Sequence, residues 1–157
     1  MAKTASKALD AITLLKADHD EVKQAFAKFE KMDHEDTAAM EELVSNVCDA
    51  LTAHTTVEEE IFYPAVRAAI EDDDLMNEAQ VEHNSAKDLI ELLEGMAAAD
   101  PMYAPTFKVL CEYVLHHAKE EEDEMFPSAK KAKVDLEELG EQIQARKEEL
   151  SEAQEAV

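Results

Sequence analysis

Between residues 8 and 31, Ile12, Leu15, Val22, Phe26 and Phe29 recur at helical spacing among Lys, Asp and Gln. That pattern buries one face of an α-helix and predicts a first helix over this range. The polar stretch 32–37 interrupts it, and either Asp36 or Thr37 is suited to cap a second helix. The second stripe runs through Met40, Leu43, Val47, Leu51, His54 and Glu58. Pro64 is expected to kink or end this helix, because proline lacks an N–H and its ring collides with the carbonyl four residues back. A restart near Asp72 to Asp74 leads into a third stripe of Met76, Ala79, His83, Ala86, Ile90 and Leu93, closed by residues 95–105. The fourth, from about Thr106, carries Leu110, Tyr113, Val114, His117 and Glu121 inward before Pro127 repeats the role of Pro64. Leu136, Leu139, Ile143 and Leu150 mark a charged C-terminal helix with a thin apolar seam, expected to pack on the bundle or on a second copy.

Short connections between inward-facing stripes predict an all-α, up-down-up-down four-helix bundle over 1–132, with an additional amphipathic C-terminal helix over 133–157. Composition supports this reading. The 157 residues include only 2 Gly and 4 Pro, too little turn chemistry for a many-stranded sheet or a glycine-rich phosphate loop. The hydrophobic content of 46% is enough for a core. With 38 Asp+Glu against 15 Lys+Arg, the formal net charge of -23 opposes nucleic acid and anionic membrane surfaces as partners. The absence of an apolar stretch of spanning length or of a signal-type segment gives cytoplasmic as the expected location. Cys48 and Cys111 are too few for a disulfide scaffold and are read as small buried hydrophobes.

The most informative feature is an internal repeat. His54, Glu58 and Pro64 coincide with His117, Glu121 and Pro127 when the two segments are overlaid. Upstream, His19 precedes His54 by 35 residues and His83 precedes His117 by 34. A separation of four places each His-x-x-x-Glu pair on one helix face. At about 1.5 Å per residue, the paired histidines reach similar heights along adjacent helices. Straight helices would not bring Glu58 level with His83, and a deflection at Pro64 is expected to shorten that path. Four His and two Glu thus converge inside the bundle, where unpaired ionised groups cost several kcal/mol. A metal ion compensates for all of them together, and imidazole mixed with carboxylate suits iron or manganese. Two six-coordinate ions need roughly twelve bonds. His19, His54, His83 and His117, with Glu58 and Glu121 as bridges and one bridging oxygen, supply about ten, leaving positions for a small ligand.

This duplicated set, with its matched prolines, resembles the hemerythrin-like HHE cation-binding domains over about residues 10 to 130. The resemblance implies a four-helix bundle around a non-haem centre of two iron ions, manganese being the alternative, that binds dioxygen, peroxide or nitric oxide. The oxygen-carrying hemerythrins differ in using more histidines and an aspartate, whereas no fifth inward histidine is evident here. The expected role is sensing, scavenging or storage. Turnover of peroxide or nitric oxide at the same site is an alternative. A metal-free helical interaction module, using the C-terminal helix, is a further one. The candidate protein partner is a second copy, as a homodimer through that helix.

Several neighbouring residues receive plainer readings. Glu59, Glu60, Glu122 and Glu124 are expected to form a solvated acidic face, His116 to lie on the surface or behind the ligands, and His34 in an exposed loop. Tyr113 is read as a core aromatic in preference to a partner of bound oxidant. Phe62 and Phe126 are expected to shield the metal from water.

Overall fold

The computed structural model describes residues 9–155. The expected start of the first helix at Ala8 lies outside the described residues. Among the described residues all the regular elements are helical: α1 (Ala11–Lys31), α2 (Thr37–Val57), α3 (Tyr63–Ile70), α4 (Asp73–Glu94), α5 (Tyr103–Glu120), α6 (Phe126–Lys131) and α7 (Leu136–Glu155). Asp10, Asp36 and Asp72 start α1, α2 and α4 by accepting from the backbone N–H of Thr13, Ala39 and Leu75 at 2.8, 3.2 and 3.1 Å. Each satisfies a donor that the first helical turn leaves orphaned. The fourth bundle helix begins at Tyr103, earlier than the expected Thr106, because Pro105 falls in the first turn, where a missing N–H costs nothing.

The prolines interrupt the α-helical pattern, as expected, without ending the helices. Neither Pro64 nor Pro127 ends its helix at the proline. Instead, each is preceded by one π-helical turn, Glu58–Phe62 and Glu121–Met125, in which the N–H of Tyr63 reaches Glu58 O and that of Phe126 reaches Glu121 O. The widened turn absorbs an extra residue and removes the clash that a proline ring makes with an α-helical carbonyl. The chain then continues into α3 and α6, with each proline near the start of its segment.

Helices α1, α2, α4 and α5 form the bundle, each neighbouring its partner in the hairpin, with α1 beside α5 and α2 beside α4. Helix α7 folds back on α1 and α2. It buries Leu139 and Ile143 and half-buries Leu136 and Leu150, so its apolar seam is used within the chain. Gly140 allows the close crossing: a Cβ there would lie 2.2 Å from the carbonyl oxygen of Leu9.

The core is divided. One apolar cluster, including Phe29, Met40, Val44 and Phe107, fills the end with the hairpin loops. A second, including Leu15, Phe62, Met76, Phe126 and Ile143, fills the end closed by α3, α6 and α7. The polar residues singled out by the repeat lie between them, with apolar packing above and below.

Candidate metal centre

The six repeated residues meet. His19 comes from α1, His54 from α2, His83 from α4 and His117 from α5, while Glu58 and Glu121 open the two π turns. All six are buried, Glu58 at 0% and Glu121 at 2% exposure. Ligand-type atoms of His19, His54, Glu58 and Glu121 lie within 4.8 Å of one another, and so do those of Glu58, His83, His117 and Glu121. Both glutamates belong to both sets. The repeat operation exchanges the two sets, so the centre has an internal pseudo-twofold symmetry.

The inward atoms are well defined. His54 Nε2 and His83 Nε2 each lie 3.0 Å from Glu58 Oε1, and His19 Nε2 lies 3.1 Å from Glu121 Oε1. His117 Nε2 is 3.4 Å from Glu121 Oε2. Glu58 Oε2 is buried and has no hydrogen-bond partner. A fully desolvated carboxylate oxygen without a partner is costly, and a cation satisfies it.

Behind each histidine stands a carboxylate that sequence reasoning missed. The Nδ1 atoms of His19, His54, His83 and His117 pair with Glu122, Asp18, Glu59 and Glu82 at 3.0, 2.7, 3.0 and 2.8 Å. Each contact fixes the ring and tautomer so that Nε2 points at the centre and is made more basic, as in carboxylate–histidine–metal arrangements. Glu59 and Glu122 are therefore not part of a solvated acidic face; they are partly covered and hold imidazoles. Glu60 remains at the surface, paired with Arg146 at 2.8 Å. A signal was present: an acid directly precedes His19 and His83, and another directly follows Glu58 and Glu121.

Two lysines complete the surroundings. Lys147 of α7 donates to both oxygens of Asp18, and Lys87 donates to Glu59 at 2.7 Å. With the imidazoles neutral, as metal ligation requires, the six carboxylates of the inner and outer rings and these two lysines leave four negative charges, which two divalent cations would neutralise. Burial works to raise the Asp18 pKa, but His54 and Lys147 outweigh it and hold the carboxyl below its ordinary value. Burial likewise works to lower the His54 pKa, yet the Glu58 charge and the Asp18 hydrogen bond drive it up to about 10. His117 follows the same logic, with Glu121 raising it to about 9 against the effect of burial. With no metal bound, the buried carboxylates thus recruit protons onto the histidines.

Tyr63 was also missed. Its hydroxyl donates to Glu121 Oε2 and lies 3.0 and 3.1 Å from His83 Nε2 and His117 Nε2. Burial and the charges of Glu58 and Glu121 hold its pKa well above the ordinary tyrosine value, so the group is a neutral hydroxyl. The repeat puts Phe126 at the corresponding position, where it stacks on His19 at 6.1 Å. The two ligand sets therefore differ in one oxygen atom. Phe62 and Phe126, edge to face at 5.6 Å, close that end against solvent, where the aromatic pair was expected. Tyr113 is not the core aromatic it was expected to be: it is 36% exposed, at the rim of a small cavity. That cavity, 30 Å³, is lined by the four histidines and by Val22, Leu51, Ala86 and Val114. His34 is exposed, 2.8 Å from the carbonyl of Phe29. Cys48 and Cys111 are free and buried, and desolvation pushes both thiols up to about 12.

A four-helix bundle with paired His/Glu sets on facing helices defines the class of helical proteins that hold metals in the bundle core. Residues 10–129 match the hemerythrin HHE cation binding domain, and the chain belongs to that family. It is similar to the crystal structure of a hemerythrin HHE cation binding domain-containing protein from Mycobacterium kansasii, with a TM-score of 0.77 and 26% identity over 92% of this chain and 89% of that one. It is also 26% identical over 113 residues to a DNA nickase of Nostoc sp., covering 72% of this chain. The match spans 31% of the nickase, under a third of its length.

Proposed function

We propose that this protein is a non-haem di-iron protein that binds dioxygen, peroxide or nitric oxide, with manganese as the alternative metal, for sensing, scavenging or storage. The observation that carries the reading is the pair of overlapping ligand sets that share both Glu58 and Glu121. The partnerless Glu58 Oε2 supports it, as does the excess of carboxylates over lysines around the centre. His19 and His54 would hold one ion, His83 and His117 the other, and the two glutamates would bridge. When bound, the ions supply electrons and open positions for a small oxidant.

The protein's own residues set what can enter. The cavity beside the four imidazoles has room for one or two water-sized molecules, and its apolar lining favours a diatomic or a peroxide over a bulky substrate. The outer carboxylates hold the rings in place, and the two apolar clusters exclude bulk water. We assign no nucleic-acid partner, because the net charge of -23 opposes a phosphate backbone. We assign a cytoplasmic setting, in keeping with a chain that carries only 2 Cys. Among the described residues no helix is long and apolar enough to cross a membrane.

Turnover of peroxide or nitric oxide at this site is the second reading. It is favoured by Tyr63, which holds a transferable proton between Glu121 and two histidines.

Elemental analysis of protein purified without chelator tests the proposal, paired with absorbance spectra before and after dithionite and air. About two irons per chain, with bands that bleach on reduction, are expected. His54→Ala and Glu121→Ala should lower occupancy far more than His34→Ala. Protein that arrives metal-free and takes up no ferrous ion anaerobically would overturn the reading. Steady-state assays with hydrogen peroxide and nitric oxide separate binding from turnover.

A further inference from the structure

The pseudo-symmetry that relates the two ligand sets fails at one outer carboxylate. Asp18 and Glu82 occupy equivalent places, one residue before His19 and His83, and each pairs with the Nδ1 of the next histidine in its half. On its outward side Asp18 has the ammonium group of Lys147. Among the described residues no lysine or arginine pairs with Glu82. Its outward neighbours are instead His116 and Glu120, themselves 3.0 Å apart across one turn of α5. Ligand-type atoms of Glu82, His116 and Glu120 all lie within 4.8 Å of one another. The corresponding residues in the first half are Ala53 and Val57, which carry no such chemistry.

A narrow cleft adjoins this trio. Glu78, Glu82, Glu120, His117 and Glu121 line it, together with Leu75 and Met125. Two of the trio, Glu82 and Glu120, thus share this cleft with His117 and the buried Glu121, while His116 lies beside it on the surface.

We propose that Glu82, His116 and Glu120 form a third divalent-cation site, at the surface, which captures the ion and hands it along the cleft toward His117 and Glu121. One imidazole and two carboxylates suit a borderline cation such as ferrous iron, manganese or zinc. His116 is 67% exposed in its side chain, so the site keeps positions for water and releases its ion easily. A cation there replaces what Lys147 provides at Asp18: it compensates the outward side of the carboxylate that orients a buried histidine. Glu78 at the mouth adds to the local negative potential and concentrates cations at the entrance. Only the destination of the ion rests on the di-metal reading; the capture site stands on its own residues.

The test uses the full chain, stripped of metal and dialysed against zinc at physiological salt with millimolar magnesium to suppress diffuse binding. Wild type and His34→Ala are expected to bind one more zinc per chain than His116→Ala and Glu120→Gln. Equal zinc in wild type and His116→Ala overturns the site. If the buried centre held no metal, His54→Ala would leave the zinc count unchanged while the His116-dependent zinc persisted, so the two readings fail separately. For delivery, anaerobic ferrous uptake by His116→Ala should slow about tenfold, the lower range for focusing of counter-ions, and reach the same final occupancy. An unchanged rate overturns the delivery role.

Discussion

The hydroxyl of Tyr63 is a single atom whose removal has a calculable effect. Tyr63→Phe converts the residue to the one the repeat places at Phe126, so the shape of the core is preserved. What is lost is a buried hydrogen bond to the Glu121 carboxylate, together with approach to two imidazole nitrogens. A hydrogen bond to a charged group contributes about 1.5–3 kcal/mol, so metal-stripped protein should lose about 2 kcal/mol of stability. For a domain of this size that corresponds to a fall of about 4–8 °C in Tm. Urea unfolding followed by circular dichroism should show a lower midpoint with an unchanged slope, because the surface exposed on unfolding is the same. Metal binding provides a second readout. The ion held by His83 and His117 should weaken by about 10–100-fold, as expected when a supporting group beside a ligand is removed, while the other ion is retained. A loss below about 0.5 kcal/mol, with both ions bound as in wild type, would refute the reasoning, since it would mean that the hydroxyl contributes no net interaction.

Other consequences follow from the same geometry. In metal-free protein His54 and His117 hold protons up to about 10 and about 9. Metal binding at pH 7 must therefore release protons, seen by calorimetry in buffers of different ionisation enthalpy, and affinity should rise with pH. For the metal-free fold the sign is the reverse: raised histidine pKa values contribute stability that is complete below about 6.5 and lost as pH climbs through the folded values. Lys147→Ala should reduce occupancy of the ion held by His19 and His54 more than that of its neighbour, measured as metal content, because Asp18 loses its cation. Gly140→Ala should cost about 1–3 kcal/mol by thermal melting, since the added methyl meets the Leu9 carbonyl. Cys48 and Cys111 should resist a disulfide reagent in native protein at pH 7 and react on unfolding, because burial keeps both thiols protonated.

The sequence by itself determined the helices, their order and the six converging residues. Hydrophobic period and the His-x-x-x-Glu spacing are local properties of a 3.6-residue turn, and the repeat records which copies of them belong together. Tertiary structure decided what lies beyond one helix. Asp18, Glu59, Glu82 and Glu122 sit at the edges of the apolar stripes, where a carboxylate looks solvated until a neighbouring helix presents an imidazole. The choice between Tyr113 and Tyr63 shows the same limit. Counting from His117 places Tyr113 one turn away on the buried face, yet it lies exposed at the rim of the interhelical cavity. Counting from Glu58 misplaces Tyr63, because the π turn before Pro64 takes up an extra residue and turns everything after it by about 100°. Local periodicity has no means of recording such a rotation or the proximity of α7, whose Lys147 reaches a histidine's carboxylate across 129 positions of chain. Those positions are set by how the helices pack, which is why the six converging residues were legible and the groups that hold and distinguish them were not.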